Sequence, residues 1–123
     1  MNRKIRPPDA SEAEFARIAK ALSKDPRVDD PSVARSKGFG SRGLKVARKL
    51  FAFNNSKGRL VVKLPAVRVD ALVSSGKGKY FDPGHGRLMK EWLAVDHRNK
   101  ALWLRLAREA LEFSAARATR PAR

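Results

Sequence analysis

The sequence predicts an α+β domain built on a mostly antiparallel sheet. Three observations lead there. Amphipathic segments at helical spacing lie near both ends, over residues 11–23 and 100–118. Between them, short runs of Leu, Val and Phe follow one another at strand length. The connections among the first of these runs are of hairpin length, too short for the crossover a parallel pair needs. The predicted order is α-β-β-β-α-β-α, a sheet of about four to five strands with helices packed on one face.

Each element has a local reason. Ser11 and Glu14 form a capping-box pattern. Behind it Phe15, Ile18, Ala19 and Leu22 share one helical face, predicting a helix over 11–23. Two prolines mark 25–31 as a turn-rich connector. A short strand is expected at 32–37, then a glycine-punctuated loop at 38–43. Residues 44–46 and 49–53 read as strands around a tight turn at Ala47 and Arg48, and 54–58 as a second hairpin loop. In the third strand, 59–64, Leu60, Val62 and Leu64 fall on one face and Val61 and Lys63 on the other. Pro65 opens a helix whose buried side is Val69, Leu72 and Val73 and which Gly76 closes. Residues 76–87 read as a glycine-rich loop and 89–95 as the last strand, carrying Trp92. Asn99 is the expected cap of the final helix, in which Leu102, Trp103, Leu104, Leu106, Ala107, Ala110, Leu111 and Phe113 fill one arc.

At 123 residues, with 42% hydrophobic residues, the chain suits one domain burying about two thirds of its unfolded surface. The expected organisation is a basic arm at 1–10, a domain at 11–118 and a basic tail at 119–123. With no cysteine, disulfides and thiolate chemistry are excluded. No apolar run reaches the roughly 18 residues of a membrane span. A cytoplasmic monomer is expected, with no membrane partner and no cofactor.

Charge is the functional signal. The chain has 28 Lys and Arg against 12 Asp and Glu, a formal net charge of +16. Residues 31–69 contain ten of those cations and no acid. A balance this basic points to polyanions, nucleic acid first.

The segments Gly43-Leu44-Lys45-Val46, Lys49-Leu50-Phe51-Ala52-Phe53 and Gly58-Arg59-Leu60-Val61-Val62-Lys63-Leu64-Pro65 resemble the MmcQ/YjbR-like proteins and the related N-terminal domain of TfoX. The block from Phe81 to Trp92, with Asp82-Pro83-Gly84-His85-Gly86-Arg87 inside it, is similar to one in small relatives of that group. The resemblance covers about 39–113. It departs at Arg48, where those families usually place glycine. It implies a compact α+β domain that binds DNA through a double-wing sheet, or a regulatory role as in TfoX, without catalysis. It carries over no functional residues.

The candidate phosphate-binding residues are Arg35, Lys37, Arg42, Lys45, Arg48 and Lys49, a basic set beside glycine-rich loops. Phe39 is the candidate for base stacking. Phe51 and Phe53, two apart in one strand, are expected to share a face, more often core than stacking platform. His85 and Arg87 are the candidate anion ligands. No metal-ligand spacing or nucleophile motif is present, so no catalytic residue is assigned. The expectation is a non-enzymatic, low-specificity nucleic-acid-binding domain. The alternatives are a protein-interaction or regulatory module and a binder of a small anion.

Overall fold

The computed structural model describes residues 10–29, 43–55, 57–82 and 89–118. Five strands form one antiparallel sheet: β1 (Gly43–Val46), β2 (Lys49–Asn54), β3 (Leu60–Lys63), β4 (Lys79–Phe81) and β5 (Met89–Val95). Their spatial order is β1-β2-β3-β5-β4, so β5 lies between β3 and the edge strand β4. The helices are α1 (Ala10–Leu22), α2 (Ala66–Ser74) and α3 (Trp103–Ala118). The fold class and chain order are those the sequence predicts, with β4 added inside the segment read as a loop. The strand expected at 32–37 lies outside the described residues. Among the described residues, no helix is long and apolar enough to cross a membrane.

The three helices cover the same face of the sheet. Ile18 and Leu22 of α1, Val69 and Leu72 of α2, and Trp103, Leu106 and Leu111 of α3 enter one core with Leu44, Phe51, Leu60, Val62, Leu93 and Val95. Burying side chains of this size contributes about 1.5–3 kcal/mol each, which makes this layer the main source of stability. Leu104, expected on the apolar arc of the last helix, is exposed instead. Ala115 takes a core position in the following turns.

The β1–β2 hairpin turns through Ala47 and Arg48, both left-handed, with φ of 52° and 66°. A two-residue turn of this kind matches the twist of the strands but suits glycine or asparagine. A connector residue compensates. The carboxylate of Asp29 accepts hydrogen bonds from the amides of Ala47 (3.2 Å) and Arg48 (2.8 Å). The Asp29 amide in turn donates to the carbonyl of Lys45 at 2.8 Å, and Val28 forms a bridge with Val46. The connector read as a plain turn thus borders the sheet edge and ties the hairpin from outside.

One irregularity changes the faces of β2. The register steps from Leu44↔Ala52 to Lys45↔Leu50, leaving Phe51 opposite no residue. Across the bulge Phe51 and Ala52 both enter the helix-covered core, each fully buried. Phe53 is in register with Val61 and makes ring contacts with Phe81 and Trp92, all outside that core. Phe51 and Phe53 therefore occupy opposite faces, not the shared face that strict alternation predicts, because a bulge adds one residue to the count.

The helix ends differ in how closely they follow the sequence signals. Ser11 lies inside α1 and is buried, so it does not act as the expected cap; the Asn54 side-chain amide donates to its Oγ at 3.4 Å. α2 begins after Pro65 and ends at Gly76 as predicted. Gly76 has φ 77°, its amide bonds the Val73 carbonyl and that of Lys77 the Leu72 carbonyl, the two bonds of a Schellman close. Asn99 does not cap α3 either. It sits within a 3₁₀ segment, His97–Leu102, and α3 starts at Trp103, whose indole donates to the Asp96 carbonyl at 3.2 Å.

The turn yields a paired prediction. Replacing Arg48 with glycine removes left-handed strain of about 1–2 kcal/mol and adds about 0.5–1 kcal/mol of unfolded-state entropy, for a net gain of roughly 0.5 kcal/mol. Asp29→Ala loses both turn bonds and is expected to cost about 1–2 kcal/mol. Urea unfolding of the two variants measures both changes.

Candidate nucleic-acid interface

Among the described residues, no helix packs on the second face of the sheet. Registers place Phe53, Val61, Ala94 and Lys79 in one row across it, with Lys63 opposite Trp92 in the next. Val61 and Ala94 are buried although neither belongs to the helix-side core. Phe53, Phe81 and Trp92 are half-buried and touch one another. The Phe53 ring centroid is 5.7 Å from that of Phe81, edge to face, and 6.0 Å from that of Trp92. The Lys63 ammonium stands 5.1 Å from the centre of the Trp92 ring. This face thus presents a contiguous aromatic patch with lysines among the rings, where the usual solvated sheet face carries polar side chains.

Folding accounts for part of the cationic excess of residues 31–69. Arg68 makes a two-pronged bond to Glu109 of α3, at 2.8 and 2.9 Å. Lys63 approaches Glu91 at 3.6 Å and Arg59 approaches Asp96 at 3.9 Å. All three carboxylates come from later in the chain, so counter-ions absent locally are supplied by tertiary structure. Lys45, Arg48, Lys49 and Lys57 form no ion pair among the described residues.

Of the six predicted phosphate-binding residues, three are described, all at one end of the β1–β2 hairpin. Lys45 is half-buried and in register with Leu50, on the open face. Arg48 is exposed at the turn. Lys49 is exposed and in register with Val46, whose side chain belongs to the core, so it leaves the strand on the helix side. The three therefore surround the hairpin tip and do not line one plane. Arg35, Lys37, Arg42 and Phe39 lie outside the described residues, as do His85 and Arg87.

A feature that the sequence reading missed lies at the β4 end of the open face. A cleft of about 270 Å³ is lined by Arg59, Lys79, Ala94, Asp96, Arg98 and Asn99, with Gly78 in its wall. A side chain at Gly78 would come within 2.7 Å of the Leu93 side chain, so only glycine keeps β4 this close to β5. Three cations face one carboxylate here. Asp96 meets both arginines only loosely, at 3.9 Å from Arg59 and 3.7 Å from Arg98, beyond the 2.7–2.9 Å of a charge-assisted hydrogen bond. The cleft retains a positive surplus. Its residues come from the second hairpin loop, β4, the end of β5 and the 3₁₀ segment, and no local spacing joins them.

A comparison of the chain with protein-family models, curated proteins and solved structures found no match.

The strongest ion cluster lies away from this face, between the α1 connector and α3. Arg27 bonds Asp25 at 2.7 and 3.0 Å and Glu112 at 2.8 and 2.9 Å. Hydrogen bonds from the Arg27 side chain and amide hold the Asp25 carboxyl down from its ordinary 3.8 to about 2. The same guanidinium lowers Glu112, and the two acids raise Arg27. A carboxyl lowered by folding stabilises the native state above its unfolded value and loses that contribution as the pH falls through its folded value. Acid unfolding followed by circular dichroism should therefore show a stability loss between about pH 4 and about pH 2. In Arg27→Met that dependence should flatten.

Proposed function

We propose that this is a non-enzymatic domain that binds nucleic acid through phosphate contacts, with low sequence specificity, and that it acts as a cytoplasmic monomer of the MmcQ/YjbR-like group. The observation that carries the reading is the surplus of cations left over after folding has paired what it can. Lys45, Arg48 and Lys49 project around one hairpin tip without a carboxylate partner among the described residues. The sequence adds Arg35, Lys37 and Arg42 just upstream in the chain. A surface of this kind attracts a polyanion by releasing its condensed counter-ions, which needs positive charge spread over an area and no particular base contact. The polar faces of α1 and α3 mix Glu with Arg, which suits solvent better than a major groove. The resemblance in the β1 to β3 region supports the same reading, with the left-handed turn at Arg48 accommodated by Asp29.

A salt titration of full-length protein with duplex DNA, single-stranded DNA and RNA tests this. Log affinity is expected to fall linearly with log salt, at a slope of about −0.9 per phosphate contact on duplex. The triple variant Lys45→Glu, Arg48→Glu, Lys49→Glu should bind at least tenfold more weakly at low salt while unfolding at a similar temperature. Binding that ignores both salt and the triple variant would rule out the proposal.

A further inference from the structure

We infer that the open sheet face is a platform for single-stranded nucleic acid, stacking unpaired bases on Phe53, Phe81 and Trp92 and holding backbone phosphate in the Arg59–Lys79–Arg98 cleft. The inference rests on the nucleic-acid reading above and names the form of the ligand and the surface that discriminates it.

Lys79 lines the cleft and Phe81 belongs to the ring patch, and they are two residues apart on β4, a span of roughly 7 Å. Ala94, opposite Lys79 in register, lines the cleft, and Trp92 lies two residues before it on β5. A cationic pocket and a row of rings thus adjoin on one face that no described helix covers. Single-strand binding proteins combine these two elements, a positive track for the backbone and aromatic faces for the bases. A duplex keeps its bases stacked inside and offers such rings nothing to stack on.

The charge of the surroundings favours a polyanion over a protein partner. Lys63 stands beside the Trp92 ring, Lys45 occupies the β1 side of the same face, and Arg59, Lys79 and Arg98 fill the β4 side. The carboxylates near them are Asp96 in the cleft and Glu91 beside Lys63. Among these described residues cations outnumber acids by five to two, and a lysine over an aromatic ring is compatible with a base entering from the other side.

The structure also supplies a reporter. The chain has two tryptophans. Trp103 is fully buried under the helices, whereas Trp92 is half-buried on the platform, so a fluorescence change on binding reports on Trp92. The probes are an oligothymidylate of ~12 nucleotides, within the span that single-strand folds cover, and a duplex of equal length. Full-length protein is expected to bind the single strand more tightly at equal salt, with quenching of Trp92. Trp92→Leu should lower single-strand affinity about tenfold and leave duplex affinity unchanged, while Trp92→Phe, which keeps a ring, retains most of it. Lys79→Ala and Arg98→Ala, both exposed positions with little packing to lose, should each reduce the single-strand salt slope by about 0.7.

The outcomes separate the two levels of the argument. Salt-dependent binding of both probes with no quenching, no preference and no effect of Trp92→Leu overturns the platform and leaves the general nucleic-acid reading standing. Failure of the single strand alone to bind overturns the platform, and failure of both probes overturns both readings. A concentration-dependent dimer that buries Trp92 and is lost in Trp92→Leu assigns the face to a second copy of the chain, and overturns the platform as well.

Discussion

The extra residue in β2 decides which side chains each face of the sheet carries. A strand that alternated strictly would place both phenylalanines under the helices or both outside. The bulge lets Phe51 and Ala52 fill the helix-side core together and sends Phe53 to the other side. One fully buried ring then stabilises the domain, and a second joins Phe81 and Trp92 on the face away from the helices. Bulges bend strands and re-aim side chains at the expense of one unpaired residue. Here the division between a helix-covered core face and a ring-bearing face follows from that single insertion.

Most of the architecture was legible because its signals are local. The closing of α2 at Gly76 follows from a left-handed residue and two short-range bonds, and the β1–β2 turn from two runs of strand-forming residues two positions apart. Features that depend on distant partners were not legible. β4 is three residues long inside a glycine-rich segment, too short to show periodicity, and exists because β5 offers it an edge. Ser11 carries the pattern of a cap, yet packing of α1 against the second hairpin buries it one residue inside the helix. The parity change in β2 leaves no trace in composition at all.

The candidate site divides in the same way. Excess charge is visible in a bare count of residues, and Lys45, Arg48 and Lys49 are candidates on that count alone. Which cations are neutralised is a tertiary fact: Arg68, Lys63 and Arg59 find Glu109, Glu91 and Asp96 across gaps of up to 41 residues. The cleft beside β4 draws on three separate stretches of chain, and the ring patch on three strands. Phe81 and Trp92 were each noticed only as parts of a loop or a strand. Their meeting with Phe53 follows from sheet order, which brings β5 between β3 and β4.

That sheet order also makes one part of the chain depend on another. In chain order the three-strand meander, residues 43–63, precedes β5 and all three carboxylates that pair with Arg59, Lys63 and Arg68. Without them β3 presents an unpaired edge, Val62 and Leu60 lack their core partners, and a run of like charges repels itself. Lysines and arginines along an unpaired strand disfavour pairing with another chain. The stretch from β5 through α3 supplies that meander with its inner neighbour strand, part of its covering layer and the negative charge it lacks, so the stability of the meander depends on the C-terminal third of the chain.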